Sequence, residues 1–123
     1  LRTYNFDGID FDWEYPVDPD RCGVPEDKEN YALLVQAMRQ AIVNSSDDYL
    51  ITMAVPASTT RLDQGYDLSS LSQNLDYINI MTYDIYGYWS EEVGSHSDMR
   101  HIRDVISYFL SQGVPSEQLI MGL

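Results

Sequence analysis

Asp7-Gly8-Ile9-Asp10-Phe11-Asp12-Trp13-Glu14-Tyr15-Pro16 decides how this chain is read. Asp10, Asp12 and Glu14 stand two residues apart. In an extended strand, side chains at that spacing leave one face, while Ile9, Phe11 and Trp13 leave the other. One face can bury against helices while the other carries three carboxyl groups in a row. Neighbouring acids would lie roughly 6–7 Å apart at Cα. At an effective dielectric of ~20, each charged pair then repels by about 2–2.5 kcal/mol. A fold has no need of such a row. A protonated carboxyl beside an ionised one relieves the repulsion, and general acid catalysis uses that pairing. Alternating acids also describe the wet face of an ordinary antiparallel strand. The flanking Trp13, Tyr15 and Pro16 weigh against that, because aromatic faces beside carboxylates suit a sugar ring.

Twenty acidic residues face seven basic ones across 123 residues, for a net charge of −13. Nucleic-acid binding depends on Lys and Arg neutralising phosphates, so this balance argues against it. It argues equally against an anionic membrane surface. An apolar content of 44% supports a packed core within one modest domain. No run approaches the ~18 apolar residues of a membrane helix. Leu1 and Leu123 both read as cut ends of something longer, which accounts for the missing secretion signal. Cys22 is the only cysteine, so no internal disulfide is expected. No Cys/His spacing suits zinc, and His96 and His101 read as surface residues. Neither a metal nor a cofactor is expected. Asn44-Ser45-Ser46 fits a glycosylation sequon, a weak pointer to secretion.

Working outward, strands and helices alternate. A strand is predicted from Gly8 to Glu14, then a loop rich in Pro, Asp and Gly from Pro16 to Pro25. A helix follows from Asp27 to Val43, with Tyr31, Leu34, Val35, Met38 and Ile42 forming its apolar stripe. The second strand runs from Tyr49 to Val55, and a loop through Pro56, Ser58, Thr59 and Gly65 follows it. Asp67 caps a short helix bearing Leu68, Leu71 and Leu75. The third strand runs from Asp76 to Tyr83. A helix from Asp98 to Gln112 ends at Gly113, and a final strand opens at Gln118. Such alternation indicates parallel βαβ units. No Gly-rich turn follows the first strand, which disfavours a dinucleotide-binding sheet. Polar groups instead gather at the carboxyl ends of strands, the habit of a (β/α)8 TIM barrel. Four strands make about half of one.

The second cluster is Met81-Thr-Tyr-Asp-Ile-Tyr-Gly-Tyr-Trp89. Tyr77, Asn79, Met81 and Tyr83 share one strand face; Ile78, Ile80 and Thr82 share the other. The second set suits helix packing, so the first should line a barrel interior. Tyr83 then brings a phenol to the top beside Asp84.

Together these segments resemble the central part of a glycoside hydrolase family 18 chitinase. Asp7-Gly-Ile-Asp-Phe-Asp-Trp-Glu14 matches that family's DxxDxDxE signature in full, and Met81-Thr-Tyr-Asp84 matches its second motif. Asp27-Lys-Glu-Asn-Tyr31, Ala54-Val-Pro-Ala57, Gly65-Tyr-Asp67 and Asn74-Leu-Asp-Tyr-Ile-Asn79 carry the similarity across the segment. The resemblance implies that residues 1–123 are part of a catalytic domain truncated at both ends, holding barrel strands four to seven. It implies retaining, substrate-assisted hydrolysis of β-1,4-linked N-acetylglucosamine, an exception to the two-carboxylate scheme. Glu14 would be the acid/base, Asp12 would hold the substrate acetamide, and Asp10 would tune Asp12. Tyr83 and Asp84 would grip the acetamide and the distorted sugar, and Met81 would shape the pocket. Trp89 would stack on a sugar beyond the cleavage point. Asp7 has the wrong parity for the acid row and is assigned a structural role, binding local backbone amides.

The implied partners are chitin or N-acetylglucosamine oligosaccharides, acted on outside the cell by a monomer. Where relatives often carry an acid after the loop Trp, this chain has Ser90, and Ser97 to His101 is short. Two other readings stay open: a lectin-like relative that binds without cleaving, and an endo-β-N-acetylglucosaminidase acting on N-glycans. Half a barrel leaves open edges, so the segment alone is expected to fold poorly and to be inactive.

Overall fold

A computed structural model describes residues 1–123. Its centre is a four-stranded, all-parallel sheet in sequential order. The strands are β1 (Gly8–Phe11), β2 (Leu50–Pro56), β3 (Tyr77–Met81) and β4 (Leu119–Met121). Four α-helices join them: α1 (Asp27–Ser45), α2 (Thr59–Gly65), α3 (Leu68–Ser72) and α4 (Met99–Ser111). Parallel neighbours need a crossover, and a helix supplies each one.

The alternation read in β3 is present: Ile78, Ile80 and Thr82 are buried, whereas Tyr77, Asn79, Met81 and Tyr83 remain at least partly exposed. In β2, Ile51, Met53 and Val55 are fully buried. These strands meet Tyr31, Val35 and Ile42 of α1, Leu62 of α2, Leu68 and Leu71 of α3, and Val105 and Phe109 of α4 in one core. Burying an aliphatic or aromatic side chain of this size contributes about 1.5–3 kcal/mol. The helices therefore cover one face of the sheet, and the other carries the polar row.

Several boundaries differ from expectation. The β1 ladder ends at the Phe11–Met53 pair, so Asp12 and Glu14 lie just beyond the strand. Residues 59–65 form α2 rather than loop, because Ser58 accepts a hydrogen bond from the Arg61 amide and so caps a helix start. The α1 stripe is narrower than predicted. Leu34 is 47% exposed, and Tyr31, Val35 and Ile42 do the burying. Asp67 and Asp98 cap α3 and α4 with their carboxylates. Gly113 follows α4 at φ 81°, a left-handed backbone that glycine adopts without Cβ strain.

Two features fix the height of the strands. Gly8 lies tight against β2; a Cβ there would stand 2.4 Å from the Leu50 carbonyl oxygen. At the amino end of β3, Asp76 Oδ2 accepts from Arg39 Nη2 at 2.6 Å and from the Ile51 amide at 2.7 Å. Arg39 also donates to the Asn74 carbonyl. Helix α1 is thereby tied to the base of β2 and β3.

Candidate active site

The carboxyl ends of β1, β2 and β3 open into one cleft of about 330 Å³. Asp12, Glu14, Met81, Tyr83 and Asp84 all line it. Pro56 and Ala57 from the end of β2, with Ser58, Arg61 and Tyr15, complete the wall. A larger groove of about 660 Å³ lies on the helical side, between α1 and α3, and gathers no comparable set of acids and aromatics.

Parity explains the first group. Ile9, Phe11 and Trp13 pack against the core. Phe11 and Trp13 meet the buried Tyr31 ring edge-on, with centroids 6.2 and 5.1 Å away. Turning these three toward the helices turns Asp10, Asp12 and Glu14 the other way. Asp10 is deeper along the row and does not line the cleft. Its Oδ1 accepts hydrogen bonds from Thr52 Oγ1 on β2 and Asn79 Nδ2 on β3. Burial and the neighbouring Asp10 charge both push the Tyr31 phenol well above its ordinary range.

The second group is positioned by Thr82. Its side chain is fully buried, and its hydroxyl donates to the Gly122 carbonyl while the Gly122 amide bonds Ile80. This lock between the ends of β3 and β4 leaves Tyr83 on the opposite face. Asp84 follows at φ 54°, a conformation that Asp tolerates better than most residues. The next loop is closed by the Ile85 amide donating to the His96 carbonyl at 2.9 Å.

Trp89 lies outside this cleft, is 58% exposed and meets Tyr88 edge-on at 5.0 Å. Other expectations are corrected. The Asp7 carboxylate binds no local amide, and only its carbonyl is engaged, by the Leu50 amide. Asp27 does that work instead: buried at the start of α1, it accepts from the Val17 and Val24 amides at 3.0 and 2.8 Å. This pins the loop that follows Glu14, where Val17 adopts φ 66°. His101 is no plain surface residue, since its Nε2 lies 2.6 Å from the Ala57 carbonyl oxygen on the cleft wall. His96 is exposed, as read.

Arg61 was not singled out from the sequence. Its guanidinium carbon lies 4.5 Å from the Tyr15 ring centroid, and Nη1 pairs with Asp18 at 2.7 Å. That bond holds the Asp18 carboxyl below its usual range. Partial burial, then the nearby Glu14, raises the Tyr15 phenol. No signal in the sequence marked Arg61, because α2 has no long apolar stripe to announce it. Cys22 is exposed and unpaired. No group of three His, Cys, Asp or Glu side chains is arranged to hold a metal.

Acids from the end of β1 and the Tyr83–Asp84 pair after β3 thus share one cleft at the carboxyl end of a parallel sheet, the place where α/β barrels carry their active sites. The family model described as glycosyl hydrolases family 18 matches residues 1–123, and the chain belongs to that family. It is 40% identical over 130 residues to a Drosophila melanogaster protein named "Probable chitinase 2", covering all of this chain and 26% of that one. Among solved structures, a Bacillus thuringiensis chitinase superposes at a TM-score of 0.89 with 36% identity, over 100% of this chain and 22% of the other. A mutant of an Ostrinia furnacalis Group II chitinase catalytic domain, in complex with penta-N-acetylchitooctaose, superposes at 0.83 with 30% identity, over 100% and 35%. These neighbours give the four strands their context, a TIM-barrel fold. The chain spans about a quarter of the length of the first curated relatives it matches.

Proposed function

We propose that this chain supplies the catalytic acids of a secreted chitinase, as strands four to seven of an eight-stranded barrel. The observation that carries the reading is the single cleft shared by Asp12, Glu14, Met81, Tyr83 and Asp84. Glu14 donates its proton to the glycosidic oxygen as the C1–O bond breaks. The substrate's own acetamide oxygen attacks C1, giving a cyclic oxazolinium ion. Asp12 accepts the acetamide N–H and faces the developing positive charge. Asp10, held by Thr52 and Asn79, tunes Asp12 from behind. Tyr83 donates to the acetamide oxygen, Asp84 holds the distorted sugar, and Met81 walls the pocket. Water then adds to C1 and returns its proton to Glu14, so configuration is retained. No cofactor enters these steps.

The relevant partner is chitin or its oligosaccharides, and the working unit is a monomeric full barrel. No helix of the chain is long and apolar enough to cross a membrane. The test is turnover of an aryl chitobioside by the full-length protein and by Glu14→Gln. The variant should lose about 10²–10⁴-fold in kcat, the usual worth of a general acid. Equal rates would remove Glu14 from its role. Capture of chitin without any released sugar would leave a binding protein.

A further inference from the structure

Asn44 stands in the last turn of α1 and is exposed. Ile42, two residues earlier, is buried in the core. At 3.6 residues per turn, two steps rotate a side chain by about 200°, so Asn44 points away from the sheet. Leu33, Ala37 and Gln40 share that outer stripe, and all are exposed. Asn44 Oδ1 accepts from Gln40 Nε2 at 3.0 Å, while its Nδ2 makes no bond within the chain. The turn that carries it is braced. The Ser45 hydroxyl bonds the Ile42 carbonyl and Asp47, the Ser46 amide donates to the Val43 carbonyl, and Arg2 pairs with Asp47. Of the five asparagines in the chain, Asn44 alone has Ser or Thr two residues on, with no Pro between.

We infer that Asn44 is an N-glycosylation site whose glycan projects from the outer face of α1, at the end of the sheet remote from the acidic cleft. The inference rests on the proposed secretion of the protein. The sequon supplies the acceptor pattern, and the fold supplies the room that a bulky, hydrated glycan needs. The transfer joins Asn44 Nδ2 to C1 of the first N-acetylglucosamine of an oligosaccharide carried on a lipid pyrophosphate. A C1–N bond forms and the C1–O bond to pyrophosphate breaks. Nδ2 gives up one proton, and the lipid pyrophosphate leaves with the bonding pair. The product is still an amide, so its oxygen keeps the Gln40 bond and the sugar starts from a held side chain. Helix α1 begins beside the loop that follows Glu14, where Asp27 holds the Val17 amide. Asn44 lies about 25 Å further along the helix axis, at 1.5 Å per residue. A glycan there leaves the cleft open to substrate.

The test expresses the full-length protein in a eukaryotic secretory host and collects medium and cells. Peptide N-glycosidase in heavy-oxygen water converts a glycosylated Asn to a labelled Asp. Tryptic cleavage after Arg39 and Arg61 frees residues 40–61, in which Asn44 is the only asparagine, so label in that peptide locates the sugar. Wild type from the medium should carry the label there. Ser46→Ala, which keeps Asn44 but breaks the sequon, should not. Asn44→Gln should keep the wild-type kcat/KM on an aryl chitobioside, because the glycan stands clear of the cleft. Wild type recovered from the medium with an unlabelled 40–61 peptide would overturn the site alone, whatever the variants do. Wild type held inside the cells and unlabelled would overturn the secreted reading and the site with it.

Discussion

Asn79 on β3 reaches across β2 to Asp10 on β1, its Nδ2 donating to Asp10 Oδ1 at 3.1 Å. Thr52, on the strand between, bonds the same oxygen. Three neighbouring strands thus meet at one carboxylate on the sheet face opposite the helices. Asn79→Leu removes a donor while keeping the volume close. In the full-length protein it should lower kcat about tenfold with little change in KM, since the lost bond is worth roughly 1.5 kcal/mol. Steady-state kinetics on an aryl chitobioside will show this. A rise in KM alone would mean Asn79 acts on substrate binding instead.

Tyr83→Phe removes one hydroxyl from the cleft and leaves the ring. If that hydroxyl donates to the acetamide oxygen as it becomes the nucleophile, kcat should fall about 10²-fold or more, by analogy with loss of a single oxyanion donor. Thermal stability should not move, because Tyr83 is partly exposed and its hydroxyl makes no bond within the chain. Paired activity and melting measurements test both halves.

Asp27→Ala should destabilise by about 1–3 kcal/mol, since the Val17 and Val24 amides lose their shared acceptor. The loop should also become the first site of proteolytic cleavage. Limited proteolysis with mass spectrometry will locate it; cleavage elsewhere first would contradict the bracing role.

Acid should unfold the chain partly through its helix caps. Asp98 accepts from Arg100 and from the Arg100 amide, which lowers its pKa from 3.8 to about 2. A carboxyl depressed on folding contributes stability above its unfolded pKa, and that contribution disappears as pH falls through the folded value. The contribution of this cap should therefore be complete above pH 4 and vanish toward pH 2. Asp98→Asn should make the melting temperature less dependent on pH in that window. An unchanged slope would show that the cap does not titrate with folding.

The fold was legible where a pattern repeats. Ile78, Ile80 and Thr82 alternate with Asn79, Met81 and Tyr83, and burial follows that alternation residue by residue. The acid row was legible for the same reason. Helix α2 was not, because a two-turn helix that buries Leu62 and its closing Gly65 leaves too short a stripe to read as periodicity. Arg61, on that helix, was hidden with it. Asp27 looked like a helix-start acid, and nothing local reveals that its carboxylate turns back to Val17. Trp89 was placed by resemblance alone, since a loop residue has no parity to fix its direction; its ring meets Tyr88 edge-on and stays largely exposed.

Position 8 lies two residues before Asp10 on the same strand and sets where the proposed catalytic acids stand. Only a hydrogen in place of a side chain lets the first strand nestle onto the Leu50 carbonyl. A methyl group there would shove that strand outward and carry Asp10, Asp12 and Glu14 with it. Such a mutant should keep every carboxylate and still be chemically silent, a lesion of distance with no functional group removed.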